Sequence, residues 1–279
     1  MKDFFEKENI ELYAYVPLKE CKIIKKYLLD KNGLDEGCGA LMMLLPYRSE
    51  VSPVNLSVYA SVRDYHKYVE GLAERLGNYI SNRYPNARYK LFADHSPIDE
   101  VHAACISGLG FIGRNGLLIN EKYSSFVFLC ELITDLTEKE LCIPQYVEKE
   151  PRMCMNCGEC ARKCPSNCMD ESDPRPKTEC LSAITQKKGQ LGDSEIKMML
   201  DNGCIWGCDV CQNVCPYTKN ADKTPISYFK EGIITELTTA TLDSMSEEEF
   251  ISRPFSWRGR DVIRRNTEIY GNRKAEKKS

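Results

Sequence analysis

Residues 154–165 read CMNCGECARKCP, which is the spacing C-x2-C-x2-C-x3-C-P. In this spacing, closely spaced thiolates bind one [4Fe–4S] cluster, and the cysteine before proline binds the other cluster of a pair. Residues 208–216 read CDVCQNVCP and repeat C-x2-C-x3-C-P without the first cysteine. Together the two motifs predict a module that holds two clusters.

The two motifs supply seven cysteines, whereas a pair of [4Fe–4S] clusters needs eight thiolates. The eighth ligand is open among Cys168, Cys180 and Cys204, which lie between the motifs. Zinc is the alternative metal, because C-x2-C pairs also bind zinc. The third cysteine at the same spacing and the cysteine–proline pairs favour clusters. Disulfides are disfavoured, because nothing in the sequence marks the chain as secreted.

The composition is that of a globular protein with an unusual number of cysteines. Of its 279 residues, 42% are hydrophobic and 28% charged, which is ordinary for a soluble domain with a substantial core. Fifteen cysteines in a chain without a recognisable export signal indicate a metal protein of a reducing compartment. The longest apolar run, residues 40–45, is too short to span a membrane. We therefore expect a cytoplasmic protein with no membrane partner.

Charge is distributed unevenly along the chain. The net charge is −3, but the segment from Arg253 onward contains nine basic and three acidic residues, a local balance of +6. Such a segment can contact phosphate groups, although solvated chain ends often have the same composition. By itself it is weak support for a nucleic-acid partner.

The hydrophobic pattern predicts a domain of mixed helices and strands, then the cluster module and a helical tail. Apolar residues at helical spacing predict helices, and short apolar runs predict strands. Helices are expected at residues 20–29, 56–83 and 97–107, and strands at 40–45, 89–93, 116–120 and 125–134, the last two as a hairpin. The expected parts are an α/β or α+β domain at 1–145, the cluster module at 146–220, and a tail at 221–279 that packs back on both.

Residues 108–113, GLGFIG, match the G-x-G-x-x-G pattern of dinucleotide-binding turns. That pattern requires a preceding strand and a following helix, whereas here it follows a predicted helix. We interpret the stretch instead as a glycine-rich turn at which a ligand can approach the backbone.

Asp94 is the candidate catalytic group, in the sequence DHSP at residues 94–97 and at a predicted strand-to-helix junction. Aspartate and serine both cap helices well, so residue type alone favours a structural capping role. The carboxyl end of a strand is also where α/β proteins place ligands, so a catalytic carboxylate is the alternative.

Asp64 and His66 form the start of D-x-H-x-x-G, a motif of proteins whose histidine ligates cobalamin. Val69 stands at the glycine position, so the motif is incomplete and we reject it. We expect His66 and Lys67 to face a ligand or the solvent instead.

Taken together, these motifs resemble those of the cobalamin-dependent epoxyqueuosine reductases, a family related to the reductive dehalogenases. The matching segments are 59–67, 94–97, 108–115, 128–135, 207–216, 265–266 and 271–272, within an overall resemblance from residue 55 to residue 272. The chain has Arg114 where the family usually has lysine and Cys130 where it usually has glycine. The family's C-terminal helical-repeat domain is not recognisable, so we expect a short form.

The resemblance implies two kinds of cofactor and their ligands. Cobalamin would be held without a histidine ligand in a nitroreductase-like domain, beside a ferredoxin-like module with two [4Fe–4S] clusters. Cys180 is implied as the eighth cluster ligand. One cluster would bind Cys154, Cys157, Cys160 and Cys215, and the other Cys164, Cys180, Cys208 and Cys211. The residues implied at the cobalamin site are Arg63, His66, Asp94, Gly108, Gly110, Gly113, Arg114 and Asn115.

The resemblance also implies an oxidoreductase reaction. In the family, reduced cobalamin removes the epoxide oxygen of epoxyqueuosine at the wobble base of tRNA, which gives queuosine. Asp94 matches the proton-donating aspartate, and a carboxyl in a partly dry pocket would have a raised pKa. The implied partners are tRNA and an external electron donor of the flavodoxin or ferredoxin type. Two alternatives stay open: a reductase of this architecture with a small-molecule substrate, and an electron-transfer protein that binds clusters alone.

Overall fold

The computed structural model describes residues 1–143, 153–169 and 179–276, so the predicted boundary at residues 145–146 lies outside the described residues. The strands are β1 (Leu12–Pro17), β2 (Gly39–Pro46), β3 (Tyr89–Phe92), β4 (Phe111–Ile112), β5 (Leu118–Ile119) and β6 (Val127–Thr134). The α-helices are α1 (Lys2–Glu8), α2 (Lys26–Lys31), α3 (Val58–Ser61), α4 (Tyr65–Arg83), α5 (Glu100–Ile106), α6 (Glu159–Arg162), α7 (Leu181–Thr185), α8 (Asp193–Asp201), α9 (Val210–Asn213), α10 (Thr239–Ser244), α11 (Glu247–Ile251) and α12 (Arg260–Glu276). Within these ranges, no helix is both long enough and apolar enough to cross a bilayer.

A four-stranded antiparallel sheet forms the centre of the first 143 residues. The strands lie in the order β1-β2-β6-β3, and each neighbouring pair is antiparallel. Every residue of β2 is buried, because both faces of the sheet are covered. The odd-numbered side chains of residues 41–45 pack into one hydrophobic core, and the even-numbered ones of 40–44 into another, as alternation along a strand requires. The fold is therefore of the mixed α/β type.

Helices cover both faces of this sheet. α4 lies on one face through an apolar stripe at helical spacing, made of Val69, Leu72, Leu76 and Ile80. α2 and α5 cover the opposite face, where Leu29 and Ala103 belong to the second core. Burial of each large aliphatic side chain contributes about 1.5–3 kcal/mol to folding, so the two cores hold the sheet rigidly between the helices.

The predicted helix at 56–83 is wrong at one point, because it is interrupted at residues 62–64. The amide of Asp64 donates to the carbonyl of Ser252 at 2.9 Å, so the chain leaves the helical path there. The Asp64 carboxylate then accepts a hydrogen bond from the amide of His66 and caps α4. The interruption places His66 in the first turn of a new helix.

Most predicted strands are confirmed, but the predicted hairpin is wrong. The strands expected at 40–45, 89–93 and 125–134 are β2, β3 and β6. The strand expected at 116–120 is reduced to β5, which pairs with β4. β6 pairs with β2 and β3 instead. A local pattern identifies a strand but not its partner, and β6 lies in the interior of the sheet with a neighbour on each edge.

Two predicted helices begin later than expected. The helix expected at 97–107 is α5, which starts after Asp99, because the Asp99 carboxylate accepts from the amide of His102 and caps the helix. The helix expected at 20–29 is α2, which begins at Lys26. As a result, the residues just before each helix are free of helical structure, and both segments line one cavity.

The C-terminal segment packs against both preceding parts, as the sequence predicts. α10, α11 and α12 share a hydrophobic core with α3 of the first part, in which Trp206 and Phe255 are fully buried. The side-chain amide of Asn266 on α12 donates to the carbonyl of Thr185 at 2.7 Å and to that of Ile205 at 2.8 Å. The last helix is thus attached to the cysteine-rich segment by a buried polar side chain.

Replacing Gly110 by alanine should destabilise the fold. A Cβ at this position would lie 2.5 Å from the carbonyl oxygen of Ile119, and a backbone atom cannot rotate away as a side chain can. We expect urea denaturation to show a free energy of unfolding lower by about 1–3 kcal/mol, the usual cost of overpacking. Gly271→Ala in α12 is the control, because nothing lies within 4 Å of the added Cβ. It should be neutral or stabilising by up to ~1 kcal/mol; equal losses in both variants would contradict the close approach at Gly110.

Candidate active site and cluster-binding module

Asp94 lies just after β3, in a backbone conformation that few residues other than glycine adopt. Its φ is 58°, in the left-handed region, where aspartate and asparagine are enriched among the other residues. Its amide donates to Oε1 of Glu100 at 3.2 Å, which ties the turn to α5. The capping role that residue type favours for Asp94 is wrong, because Asp99 caps α5. Strained backbone of this kind is concentrated at functional sites.

The Asp94 carboxylate faces a histidine and a tyrosine from the start of α4. Oδ2 of Asp94 is 3.4 Å from Nε2 of His66, and Nδ1 of His66 is 2.9 Å from Oδ1 of Asp64. The Tyr65 side chain also hydrogen-bonds to Asp94. The hydrogen bonds with Asp64 and Asp94 raise the pKa of His66 to about 10, so its imidazole is protonated at neutral pH.

The pKa of Asp94 is lowered, so the expectation of a raised value is wrong for this structure. Burial raises the pKa of this carboxyl, but hydrogen bonds from His66 and Tyr65 and the positive charges of His66 and Lys25 lower it by more. These groups lie on other elements of the fold, so the local sequence around Asp94 does not show them. In this arrangement Asp94 is ionised and the mobile proton of the pair rests on Nε2 of His66.

A cavity of about 570 Å³ opens beside Asp94. Its wall includes Lys22, Asp94, Glu100, His102, Ile112 and Gly116. The Asp94 side chain is 70% accessible to solvent, so it is within reach of a ligand. Nδ1 of His102 is buried and has no hydrogen-bond partner among the described residues. The volume is in the usual range of small-molecule sites, about 300–1,000 Å³.

Two glutamates lie against each other beside Asp94. Glu131, in the buried half of β6, is 0% exposed, and Oγ of Ser96 donates to its Oε1. The carboxyl of Glu100 is within hydrogen-bonding reach of Glu131. Burial raises the pKa of Glu131 well above its usual range and that of Glu100 to about 7. Two carboxyl groups can share a hydrogen bond only if one of them keeps its proton.

Sequence reasoning assigns no role to Tyr65 or to these two glutamates. Glu131 offers one signal, because a single acid in the apolar run of β6 must be buried with it. Glu100 offers none, since an acidic residue in the first turn of a helix is common for electrostatic reasons alone. The contact between them depends on the sheet and is visible only in the fold.

The glycines of GLGFIG are required by the packing of the chain itself. Gly108, with φ 82°, ends α5 with the hydrogen bonds of a Schellman motif. A Cβ on Gly110 or Gly113 would collide with Ile119 and Asn115 respectively. The stretch follows α5 and contains β4, so the strand-to-helix context of a dinucleotide site is absent, as the sequence predicts. The space beside Gly110 and Gly113 is filled by the protein rather than open to a ligand.

The turn after these glycines contacts one of the cluster-motif cysteines and places a positive charge near another. The Asn115 side chain is 2% exposed and hydrogen-bonds to the Cys211 thiol. The positive charge of Arg114 acts on the Cys160 thiol. Gly116, the next residue, lines the cavity. A single turn therefore separates the cavity from the cysteine-rich module.

Arg63 lies in a different environment. Its Nη1 is 3.4 Å from Oε2 of Glu231, and its guanidinium is 5.5 Å from the centre of the Tyr228 ring. The Tyr228 hydroxyl donates to the carbonyl of Asp64 at 3.0 Å, which links this group to the cap of α4. Among the predicted site residues, the structure thus brings Asp94 to His66 and brings Arg114 and Asn115 to the cysteines.

Four cysteines form one group across the two motifs. Burial raises the pKa of the Cys215 thiol, and three nearby thiols add to the increase. These three are Cys154, Cys157 and Cys160. The last cysteine of the second motif therefore lies with the first three of the first motif.

A second group of thiols surrounds Cys208. Burial raises the pKa values of Cys208 and Cys211 to about 12, and the nearby Cys180 thiol contributes to both shifts. Cys164 also acts on Cys208. A fifth thiol is present, because Sγ of buried Cys168 is 3.6 Å from Sγ of Cys164.

Cys204 is engaged outside both groups. Its Sγ donates to the carbonyls of Trp206 at 3.3 Å and Gly207 at 3.2 Å. Cys180 and Cys168 are therefore the better placed candidates for an eighth ligand. No trio of His, Cys, Asp or Glu in the described ranges is spaced for a single metal ion, whereas a four-iron cluster distributes its thiolates over separate irons.

Known protein families match both parts of this site, the cluster-binding segment and the segment that contains Asp94. Residues 153–218 match the family of the 4Fe-4S double cluster binding domain, and residues 39–95 match that of epoxyqueuosine reductase QueG, DUF1730. The epoxyqueuosine reductase of Listeria monocytogenes is 32% identical over 216 residues, which are 74% of this chain and 54% of that protein. The chain belongs to the epoxyqueuosine reductase family. Its cysteine-rich segment is a domain for two [4Fe–4S] clusters.

Solved structures of epoxyqueuosine reductases share the fold. The enzyme of Streptococcus thermophilus superimposes with a TM-score of 0.73 at 23% identity, over 96% of this chain and 79% of that one. An epoxyqueuosine reductase with an epoxyqueuosine-modified tRNA-Tyr stem loop gives 0.74 at 20% identity, over 96% and 80% of the two chains. The chain spans about half the length of the curated epoxyqueuosine reductases that it matches.

The raised pKa of His66 can be measured directly by NMR. The folded value of about 10 exceeds the ordinary 6.5, so the contacts with Asp64 and Asp94 stabilise the fold below pH 6.5, and this contribution is lost as the pH rises through 10. Asp94→Asn removes one of the two carboxylates and should lower the His66 pKa without restoring 6.5, because Asp64 remains. Asp35→Asn, an exposed aspartate near Arg88, is the control and should not change it. An ordinary His66 pKa in the unmodified protein would contradict the contact.

Iron content distinguishes the candidate eighth ligands. We expect anaerobically reconstituted protein to bind about eight irons, the content of two [4Fe–4S] clusters. Cys180→Ala should lose one cluster, about four irons, because its thiol lies beside Cys208 and Cys211. Cys204→Ala is the matched control and should keep both, since that thiol is bonded to backbone carbonyls. Full iron content in Cys180→Ala, together with loss of iron in Cys168→Ala, would identify Cys168 as the eighth ligand instead.

Proposed function

We propose that the chain is a cobalamin- and [4Fe–4S]-dependent oxidoreductase that converts epoxyqueuosine in tRNA to queuosine. The observation that carries this proposal is the turn at residues 112–116, which lines the cavity beside Asp94 and also contacts Cys211. A reduction in the cavity needs electrons from the cluster domain, and this turn joins the two. The relatives named epoxyqueuosine reductase, one of them solved with a modified tRNA stem loop, indicate the substrate.

The finer architecture belongs to the same proposal. Residues 1–145 would form a nitroreductase-like cobalamin-binding domain, 146–220 a ferredoxin-like double [4Fe–4S] module, and 221–279 a helical basic tail. The sheet covered by helices on both faces supports the first, and the family match at 153–218 supports the second. We further propose a cytoplasmic enzyme that receives electrons from a donor of the flavodoxin or ferredoxin type.

The thiols fit two cubane clusters with exchanged fourth ligands. The group around Cys215 supplies four thiols, and the group around Cys208 supplies four with Cys180 included. We assign the first cluster to Cys154, Cys157, Cys160 and Cys215, and the second to Cys164, Cys180, Cys208 and Cys211. The cysteine before each proline then binds the cluster of the other motif, as this spacing normally does.

The residues around the cavity fit cobalamin held without a histidine ligand. Both ring nitrogens of His66 are occupied, by Asp64 and Asp94, so His66 does not offer a lone pair to cobalt. The cavity is open, and His102 in its wall has a buried ring nitrogen without a hydrogen-bond partner among the described residues. The proposed contacts are Arg63, His66, Asp94, Arg114 and Asn115. The implied contacts at Gly108, Gly110 and Gly113 are not proposed, because the protein itself fills the space beside Gly110 and Gly113 and Gly108 ends α5.

Bound here, cobalamin would supply a strongly reducing, nucleophilic centre, and the chain must supply the proton. Asp94 accepts a proton at Oδ2 from Nε2 of His66 and passes it to the departing epoxide oxygen. A bound nucleoside would cover the exposed Asp94 carboxyl and remove water from it. Loss of water raises the pKa of a carboxyl, so Asp94 would become able to carry a proton to the oxygen.

The C-terminal basic segment is the proposed contact for tRNA phosphates. Trp257 is 61% exposed, and the guanidinium of Arg258 lies 3.8 Å from the centre of its ring. Exposed aromatic and guanidinium planes are the groups on which proteins stack unpaired bases. Arg260 and Arg264 are paired with acidic side chains, so only part of the local positive charge faces a ligand. Binding through such charges should weaken steeply as salt rises.

Asp94→Asn tests the proposed acid. The amide keeps the shape of the side chain but has no transferable proton, so turnover of tRNA that carries epoxyqueuosine should fall about 10²–10⁴-fold. Iron content and cobalamin binding should be unchanged, and Asp35→Asn should behave as the unmodified enzyme. Unchanged turnover in Asp94→Asn would assign the acid to another group. If the enzyme loaded with both cofactors does not convert this tRNA even at low salt, the tRNA substrate is wrong and the small-molecule alternative stands.

A further inference from the structure

The proposed reaction consumes more protons than Asp94 holds. Conversion of an epoxide to an alkene and water takes up two electrons and two protons. The electrons come from an external one-electron donor through the clusters. One proton joins the oxygen when the first C–O bond breaks, and the other joins it when the second breaks and water leaves. Asp94 can deliver one of these protons in each reaction cycle, so a second proton source is needed.

Glu100 and Glu131 form a continuous path of carboxyl groups from the cavity to the interior of the sheet. Glu100 lines the cavity beside Asp94, and its Oε1 accepts the Asp94 amide at 3.2 Å. Glu131 lies behind it with no exposed surface, and Ser96 donates to its Oε1. Oε2 of Glu131 is buried and has no hydrogen-bond donor among the described residues, and the Glu100 carboxyl lies within hydrogen-bonding reach of this side chain.

The surroundings keep a proton on this pair. Among the described residues, neither glutamate has an ion-pair partner, and Lys25, whose positive charge acts on Glu100, contacts His95. The titratable and charged groups that act on the pair from the neighbouring elements are Cys21, Lys25, Tyr65, Asp94 and Cys130. Two adjacent carboxylates without a cation cannot both be ionised in a buried site. The proton therefore belongs to the pair as a unit.

We propose that the Glu100–Glu131 pair stores the second proton of the reaction and delivers it from Glu100 into the cavity. This inference rests on the proposed function. In the step, the second C–O bond breaks with its electron pair on the oxygen, the O–H bond of the Glu100 carboxyl breaks, a new O–H bond forms on the departing oxygen, and water leaves. The two electrons already delivered through the clusters complete the carbon–carbon double bond. Repulsion between the two carboxylates then favours uptake of a proton from the bulk solvent through the open cavity, which restores the pair. Glu131 acts through Glu100 and is a positioning residue.

Glu131→Gln separates this role from a structural one. The introduced amide keeps the shape, still accepts from Ser96, and donates to Glu100 in place of the shared acid proton, so the fold should persist. Infrared spectroscopy of the substrate-free protein at about pH 8, above the pKa of about 7 of Glu100, should show the buried protonated carboxyl that the pair retains. In the variant Glu100 is ionised at this pH, so the band should be absent. This measurement requires no turnover.

Turnover gives the second measurement. With tRNA that carries epoxyqueuosine, Glu131→Gln and Glu100→Gln should each be slower by about 100-fold, the lower end of the effect of a general acid. Small carboxylic acids that enter the open cavity should restore part of the rate, which a merely structural defect would not allow. Glu8→Gln is the matched control. Its carboxylate is also largely buried but is held by Arg75 at 2.7 Å, so the band and the rate should not change.

The outcomes distinguish this inference from the proposed function. If the unmodified enzyme turns over and both variants remain within twofold of it, the proton store is wrong and the function stands. Loss of rate without rescue by small acids also overturns the store. An unmodified enzyme without any turnover overturns the function and the store together. If Glu131→Gln does not fold, Glu100→Gln, whose side chain faces the cavity, decides between these outcomes.

Discussion

The pairing of β3 with β6 fixes the centre of the site. Phe92 lies opposite Glu131 at the end of this antiparallel pair, so the chain leaves β3 next to the buried carboxyl and turns at Asp94. Ser96 then returns a hydrogen bond to Glu131. A slip of one residue would exchange the two faces of the strand, and an apolar side chain would take the place of Glu131. The position of Asp94 thus depends on backbone pairing inside the sheet more than on its own loop.

Around this pairing, the fold shifts the pKa values of neighbouring carboxyl groups in opposite directions. His66 and Tyr65 hydrogen-bond to Asp94 and lower its pKa, whereas burial without a cation raises the pKa values of Glu100 and Glu131. One group is therefore ionised and a proton is retained beside it, within a single cavity wall. Separation of this kind between adjacent acids is how enzymes assign donor and acceptor roles to chemically identical groups.

The sequence predicts the features that depend on local spacing and misses those that depend on distant contacts. Cluster motifs are local, so the double-cluster domain is recognisable from residues 154–165 and 208–216 alone. The apolar run of β2 is likewise sufficient to identify a buried strand. The partner of β6 is not, because the pattern does not record which strands become neighbours. The lowered pKa of Asp94 cannot be predicted from the sequence for the same reason, because His66 lies on α4 and is far from Asp94 along the chain.

The hydrogen bonds of the Asn266 side chain make completion of the fold depend on the C-terminal helix. Its amide joins the carbonyls of Thr185 and Ile205, which lie between Cys180 and the second cysteine motif. Buried amide bonds of this type are costly to leave unmade, by about 1–3 kcal/mol. α12 lies beyond both motifs in the chain, so this connection can close only after translation has passed residue 266. The link between the last helix and the segments that carry the cysteines is therefore among the last contacts of the fold to form.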